Sequence, residues 1–157
     1  TFNRLVKDFM IQTGSKDGDG KTGAKLSNLK DGGENKDYSI KGEFLANGVT
    51  NTIKFEEGTV AMARADYTQY SSNLKSESYN SACSQFFIMT AANTTLDGNY
   101  AGFGKVIEGM EIIENIEKNA TVKDNQTGKL KKNITIKNAT VDTFGKEYSV
   151  KKIQENN

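Results

Sequence analysis

A chain of 157 residues is one domain by size and long enough to bury a core. Its 21 basic and 20 acidic side chains leave a net charge of +1, which excludes the electrostatic footprint of a nucleic-acid binder. There is no histidine, the commonest metal ligand and general base, and the single cysteine, Cys83, rules out an internal disulfide. No apolar run reaches the length of a membrane span, and no signal peptide is visible, although the chain opens in mid-pattern. One cysteine favours the cytoplasm, with a secreted or lipid-anchored form as the alternative if an N-terminal segment is missing.

Phe2 to Gln12 reads as two short strands broken near Lys7-Asp8. Arg4 alone would read as a solvated arginine on an edge strand. Residues 13 to 41 are rich in Gly, Asp, Lys and Ser and read as a long surface loop. Gly20-Lys21-Thr22 fails as a phosphate-binding loop, because Ser15 stands where glycine is needed. Asp17-Gly18-Asp19-Gly20-Lys21 fails as a calcium loop, with Lys21 at an acidic position and Asn28 at the closing glutamate.

Strands are expected around Ile40–Phe44 and Thr50–Phe55, turned by Asn47-Gly48. Thr59 to Ala65 is the next strand, with Ala61, Ala63 and Ala65 on one face and Val60, Met62 and Arg64 on the other. A row of alanines serves tight packing or a groove floor that a peptide backbone can approach. Residues 66–79 read as a loop insertion carrying Tyr67, Tyr70 and Tyr79. It is either a solvated loop or one wall of a groove. Cys83 reads as a small packed residue, with no histidine to activate it.

Ser84 to Met89 is a tight apolar strand. Ser84, Phe86 and Ile88 share one face; Gln85, Phe87 and Met89 share the other, where an amide beside an exposed ring would begin a binding surface. Leu96-Asp97-Gly98 reads as a turn and Phe103–Val106 as a strand. Met110 to Lys118 reads as a short helix whose stripe of Met110, Ile112, Ile113 and Ile116 packs on the domain. A final strand is expected over Lys132–Lys137, after a solvated basic cluster at Lys129–Lys132. The segment 143–157 reads as a polar tail.

The blocks Phe2–Gln12, Gly42-Glu43-Phe44, Gly58–Ala65, NSACSQFFI from Asn80 and LDGNYAGFGKVIEGM from Leu96 closely resemble, in order, the cyclophilin family of peptidyl-prolyl cis-trans isomerases. The resemblance covers most of positions 2 to 117. It implies a mainly β fold, a closed antiparallel eight-stranded barrel with flanking helices, over residues 1–142. It begins at the family's third strand, so the first two strands and first helix have no counterpart. Either the chain is a piece of a longer one or another chain supplies them.

The resemblance implies isomerisation of X–Pro bonds in proline-containing peptides and unfolded proteins, without a cofactor. A proline-peptide-binding or chaperone module is the alternative. Arg4 matches the family's catalytic arginine. Phe9, Met10, Phe87, Leu96 and Tyr100 match the proline pocket, which Ala63 and Ala65 border. Gln12 and Gln85 match groove positions, and Arg64 matches the position that pairs with substrate backbone. Three residues depart from the pattern. Asn3 and Tyr100 replace common histidines, and Thr95 replaces a tryptophan that helps bind cyclosporin, so weak cyclosporin binding is expected.

Overall fold

The computed structural model describes residues 1–23 and 38–149. Residues 24–37 of the expected 13–41 loop, with Asn28, and the tail from 150 onward lie outside the described residues. The strands are β1 (Phe2–Val6), β2 (Met10–Thr13), β3 (Thr59–Met62), β4 (Phe86–Met89), β5 (Gly102–Lys105), β6 (Val122–Asp124) and β7 (Lys129–Ile134). The helices are α1 (Lys75–Tyr79) and α2 (Met110–Asn119). All pairings are antiparallel, in the order β5-β3-β4-β2-β1-β7-β6.

The expected closed eight-stranded barrel is not what the described residues form. Their seven strands make an open sheet with β5 and β6 at its edges, because nothing in them bridges β5 to the far side. Closure requires every strand to have two neighbours.

β1 and β2 form a hairpin through Lys7-Asp8-Phe9, where Asp8 takes a left-handed conformation (φ 55°). The Asp8 N–H donates to Glu117 Oε1 of α2 at 2.9 Å, and Thr90 Oγ1 donates to the same oxygen at 2.7 Å. One carboxylate thus fastens the hairpin tip to the helix. Register breaks between Phe2 and Arg4, where two steps along β1 face five along β7, from Ile134 to Lys129. Across this irregularity Phe2 and Leu5 share a core, while Arg4 lines a cavity on the other face.

Alternation splits the sheet into two faces. On one, Phe2, Leu5, Ile11 and Leu130 pack against Ile113 of α2, with Ile88, Met110, Ile116 and Ile134 around them. Ile112 does not join this core as expected: it is 60% exposed, a turn of about 100° from Ile113. On the other face, Met10, Ala61, Phe87 and Met89 pack with Phe55.

Three further expectations change. The hairpin expected over 40–55 is absent. Ile40 makes a single bridge to Ala82, and Leu45–Asn47 is a 3-10 turn closed by Gly48 (φ 74°). Side chains satisfy this backbone instead of a ladder: Asn51 Nδ2 donates to the carbonyls of Glu43 and Gly102, and Asp97 Oδ1 accepts from Phe55 N–H. Burial of Phe44 and Phe55 anchors the segment. The expected 66–79 loop contains the one-turn α1, too short to show a helical period in sequence. The last strand begins at Lys129, so the basic cluster lies within it, its lysines exposed and Leu130 buried. Gly128 precedes it at φ 72°. Its carbonyl accepts from Leu5 N–H, and a Cβ there would stand 2.7 Å from the Leu5 carbonyl.

Candidate functional site

The register sets a row of residues across one face. Arg4 pairs with Gln12, Gln12 with Phe87, Phe87 with Ala61, and Ala61 with Gly102. Cross-strand partners point the same way, so an arginine, an amide, a ring and two small residues lie side by side.

Arg4 is held at three points. Its Nε donates to the Thr127 carbonyl at 2.9 Å, and Nη1 lies 3.4 Å from Gln12 Oε1 and 3.7 Å from Met10 Sδ. Thr127 is fixed by its own hydroxyl, which donates to Asp124 Oδ2. Burial pulls the Arg4 guanidinium below its ordinary pKa, with Tyr100 opposing. A guanidinium nevertheless stays cationic at neutral pH.

The amides continue outward. Gln12 Nε2 donates to Gln85 Oε1 at 3.0 Å, and Gln85 Nε2 donates to the Gly20 carbonyl at 3.3 Å. Gly20 is presented by a turn organised on Asp19, whose Oδ1 accepts from the N–H groups of Lys21 and Thr22 and from the hydroxyls of Ser15 and Thr22. Those bonds, the Thr22 N–H first, hold the Asp19 carboxyl far below the usual range. The residue that resembled a calcium ligand thus caps a turn.

Beside Arg4 is a cavity of about 170 Å³ lined by Arg4, Phe9, Met10, Gln12, Ala63, Arg64, Phe87, Leu96 and Tyr100. Phe87 is buried, not exposed as expected; the cavity opens over a ring the core already holds. Phe55 stacks on Phe87 (centroids 6.2 Å apart, 27°), and Tyr100 meets Phe87 edge-on (5.8 Å, 85°). Such ring pairs fix wall orientation as well as burying area. Thr95 is tied back to Asn93 Oδ1 in the turn that carries Leu96.

Gln85 and Ala65 fall on a second, larger cavity of about 1200 Å³, which shares Gln12, Ala63 and Arg64 with the first. Cys83 and Tyr38 line it too. Burial first, and then the hydrogen-bonded Cys83, push the Tyr38 hydroxyl up to about 12.

All the predicted site residues therefore line two adjoining cavities. Sequence reasoning assigns no site role to three residues that hold lining side chains: Thr127, whose carbonyl on Arg4 leaves no trace in sequence, Phe55, which reads as a strand end, and Phe44, which reads only as part of a block. Tyr79, whose segment reads either as a solvated loop or as a groove wall, packs on Arg64.

Comparison with known proteins bears on this geometry. The model of the cyclophilin type peptidyl-prolyl cis-trans isomerase/CLD family matches residues 1–141. A probable peptidyl-prolyl cis-trans isomerase of Brucella abortus is 33% identical over 142 residues, covering 90% of this chain and 62% of that protein. A peptidyl-prolyl cis-trans isomerase of Acinetobacter baylyi is 36% identical over 120 residues, covering 73% and 50%. The chain thus spans between half and two thirds of the length of these relatives. A crystal structure of a Cryptosporidium parvum cyclophilin type isomerase, in the presence of the dipeptide Ala-Pro, superposes with a TM-score of 0.56. Its identity is 26%, and the match covers 83% of this chain and 66% of that one.

Proposed function

The chain belongs to the cyclophilin-type peptidyl-prolyl cis-trans isomerase family, and we propose that it catalyses rotation about X–Pro bonds, with Arg4 stabilising the twisted amide. The observation that carries this reading is a cation fixed by three contacts at the mouth of an aromatic cavity.

Amide resonance imposes a barrier of about 18–20 kcal/mol on this rotation. Lowering it requires no nucleophile, metal or proton transfer; the site must favour the twisted state over both planar ones. In the twist the proline nitrogen becomes pyramidal and regains its lone pair. A guanidinium that donates a hydrogen bond there stabilises that state alone. Because Arg4 is already held by Thr127 and Gln12, little reorganisation is needed as the charge develops.

In this reading Phe9, Met10, Phe87, Leu96 and Tyr100 receive the proline ring, and Ala63 and Ala65 allow the peptide backbone to lie close. Gln12 and Gln85 hold the substrate backbone and orient Arg4. The substrates are proline-containing peptides and unfolded proteins. Cyclosporin binds weakly, because Thr95 offers no indole and its hydroxyl is engaged by Asn93.

The test is NMR exchange between the cis and trans forms of a short X–Pro peptide, with the wild-type chain and Arg4→Ala. Fast exchange that disappears in the variant, with peptide binding retained, supports the reading. Wild-type binding without exchange overturns it in favour of a binding module.

A further inference from the structure

Arg64 stands where the two cavities meet, and its surroundings differ from those of Arg4. Three rings surround its guanidinium carbon: Tyr100 at 4.5 Å, Tyr79 at 5.2 Å and Phe44 at 5.6 Å from their centroids. All lie within cation–π range. They come from three separate segments, and Tyr79 ends the helix inside the 66–79 insertion.

Rings hold a guanidinium through its faces and leave the N–H groups on its rim for other partners. Among the described residues, the only hydrogen bond Arg64 donates is from Nε to the Asn99 carbonyl, at 3.3 Å. No carboxylate among them forms an ion pair with it. Asp66, two residues on, turns its Oδ1 to the hydroxyl and N–H of Thr68, which chiefly lower its carboxyl pKa, and the Arg64 charge adds only the last and smallest pull. The charged residues described around the larger cavity are Lys21 and Arg64 against Glu77, an excess of one positive charge.

We infer that Arg64 is a specificity-determining residue that selects peptides carrying a carboxylate side chain beside the proline, on the side that enters the larger cavity. The inference rests on the isomerase groove proposed above. With the proline ring in the smaller cavity, a neighbouring residue passes Arg64 as the peptide crosses Ala63 and Ala65. The cage has already ordered the guanidinium, so a carboxylate there gains a charge-assisted, fork-shaped contact at little entropic cost. Lysine at that position meets like charge.

The experiment uses X–Pro peptides with Glu, Gln or Lys at each of the two positions before and after the proline. Both kcat/KM by NMR exchange and affinity by chemical-shift titration are read for every peptide. At one position Glu is expected to exceed Gln by roughly threefold to tenfold, and the ratio should shrink as salt rises. In Arg64→Gln the ratio falls to one, in Arg64→Glu it inverts toward Lys, and Arg64→Lys keeps a reduced preference for Glu. A merely structural role for Arg64 would lower all peptides together and leave the ratios unchanged.

A wild-type ratio of one at every position in both readouts overturns the inference while leaving the isomerase intact. Persistence of the Glu preference in a folded Arg64→Gln also overturns it. Loss of exchange with all wild-type peptides overturns the proposed isomerase instead, and the affinity ratios then still decide the role of Arg64. The wild-type series with its salt dependence needs no variant, so a misfolded substitution leaves the test standing.

Discussion

The two faces of the sheet are built from alternate residues of the same strands, yet they are different materials. The face under α2 is mostly aliphatic: Leu5, Ile11 and Leu130 pack against Ile113. The opposite face carries Arg4, Gln12, Gln85, Phe87 and Arg64, and both cavities open on it. Neighbouring residues such as Ile11 and Gln12 therefore answer to different demands. Both faces bury a core, but the second also holds polar groups in place beside its buried residues.

The two faces lose their distinction if Arg4 proves dispensable. Arg4→Ala is expected to lower kcat/KM for X–Pro exchange by roughly two to three decades, as loss of a single transition-state donor does in other sites. Arg4→Lys should not restore it, because a point charge lacks the fork that Thr127 and Gln12 hold. Denaturant unfolding should change by only about 1 kcal/mol in either variant.

The mirror experiment is Ile113→Ala, which opens a void between α2 and the sheet. It should cost about 2–5 kcal/mol in urea unfolding and leave exchange per folded molecule unchanged. A large loss of kcat/KM in the folded fraction would show that the two faces are not separable.

Gln12→Leu removes an acceptor from Arg4 and the donor to Gln85. A roughly tenfold loss in exchange is expected, the scale of one hydrogen bond to a charged group, with kcat falling more than KM rises. Equal losses in a peptide-binding titration would mean that Gln12 holds substrate without orienting Arg4.

The smallest effect concerns pH. With no histidine, exchange should be flat from about pH 5.5 to 8. Asp19, Asp97 and Asp124 all have carboxyl pKa values lowered by hydrogen bonds: the Thr22 N–H acts first on Asp19, the Phe55 N–H on Asp97 and the Thr127 hydroxyl on Asp124. A lowered folded-state pKa stabilises above the unfolded Asp value of about 3.9, and that stability is lost as pH falls through the folded values. All three serve the groove face: Asp19 through Gly20, Asp97 through Phe55 and Asp124 through Thr127. Amide exchange below about pH 4 should therefore rise first around these turns and later in α2. Uniform loosening would remove the distinction.

Much of this division was legible in the sequence. Alternation in Phe86-Phe87-Ile88-Met89 assigns opposite faces without reference to any partner, since a strand's period is two. The spacing of Met110, Ile113 and Ile116 does the same for α2. The site was legible through residue blocks, which brought Arg4, Gln12, Gln85 and Tyr100 together although 96 positions separate the first from the last. Segment 40–55 misled the reading because its β-like residues meet single side-chain partners, Asn51 and Asp97, in place of a neighbouring strand. Phe87 misled it because an unpaired ring on a polar face looks exposed until Phe55 and Tyr100 are placed beside it.

By itself the sequence determined β1 to β5, the Met110, Ile113 and Ile116 stripe of α2 and the residue types around the two cavities, since local periodicity and residue type are properties of neighbours along the chain. Tertiary structure alone decided that the described sheet stays open, that the Thr127 carbonyl holds Arg4, that Asp19 organises the turn behind Gln85, and that three distant rings surround Arg64. Each of these depends on strand order or on single contacts. The contacts to Arg4 and Gln85 span 123 and 65 positions, separations at which no local pattern survives.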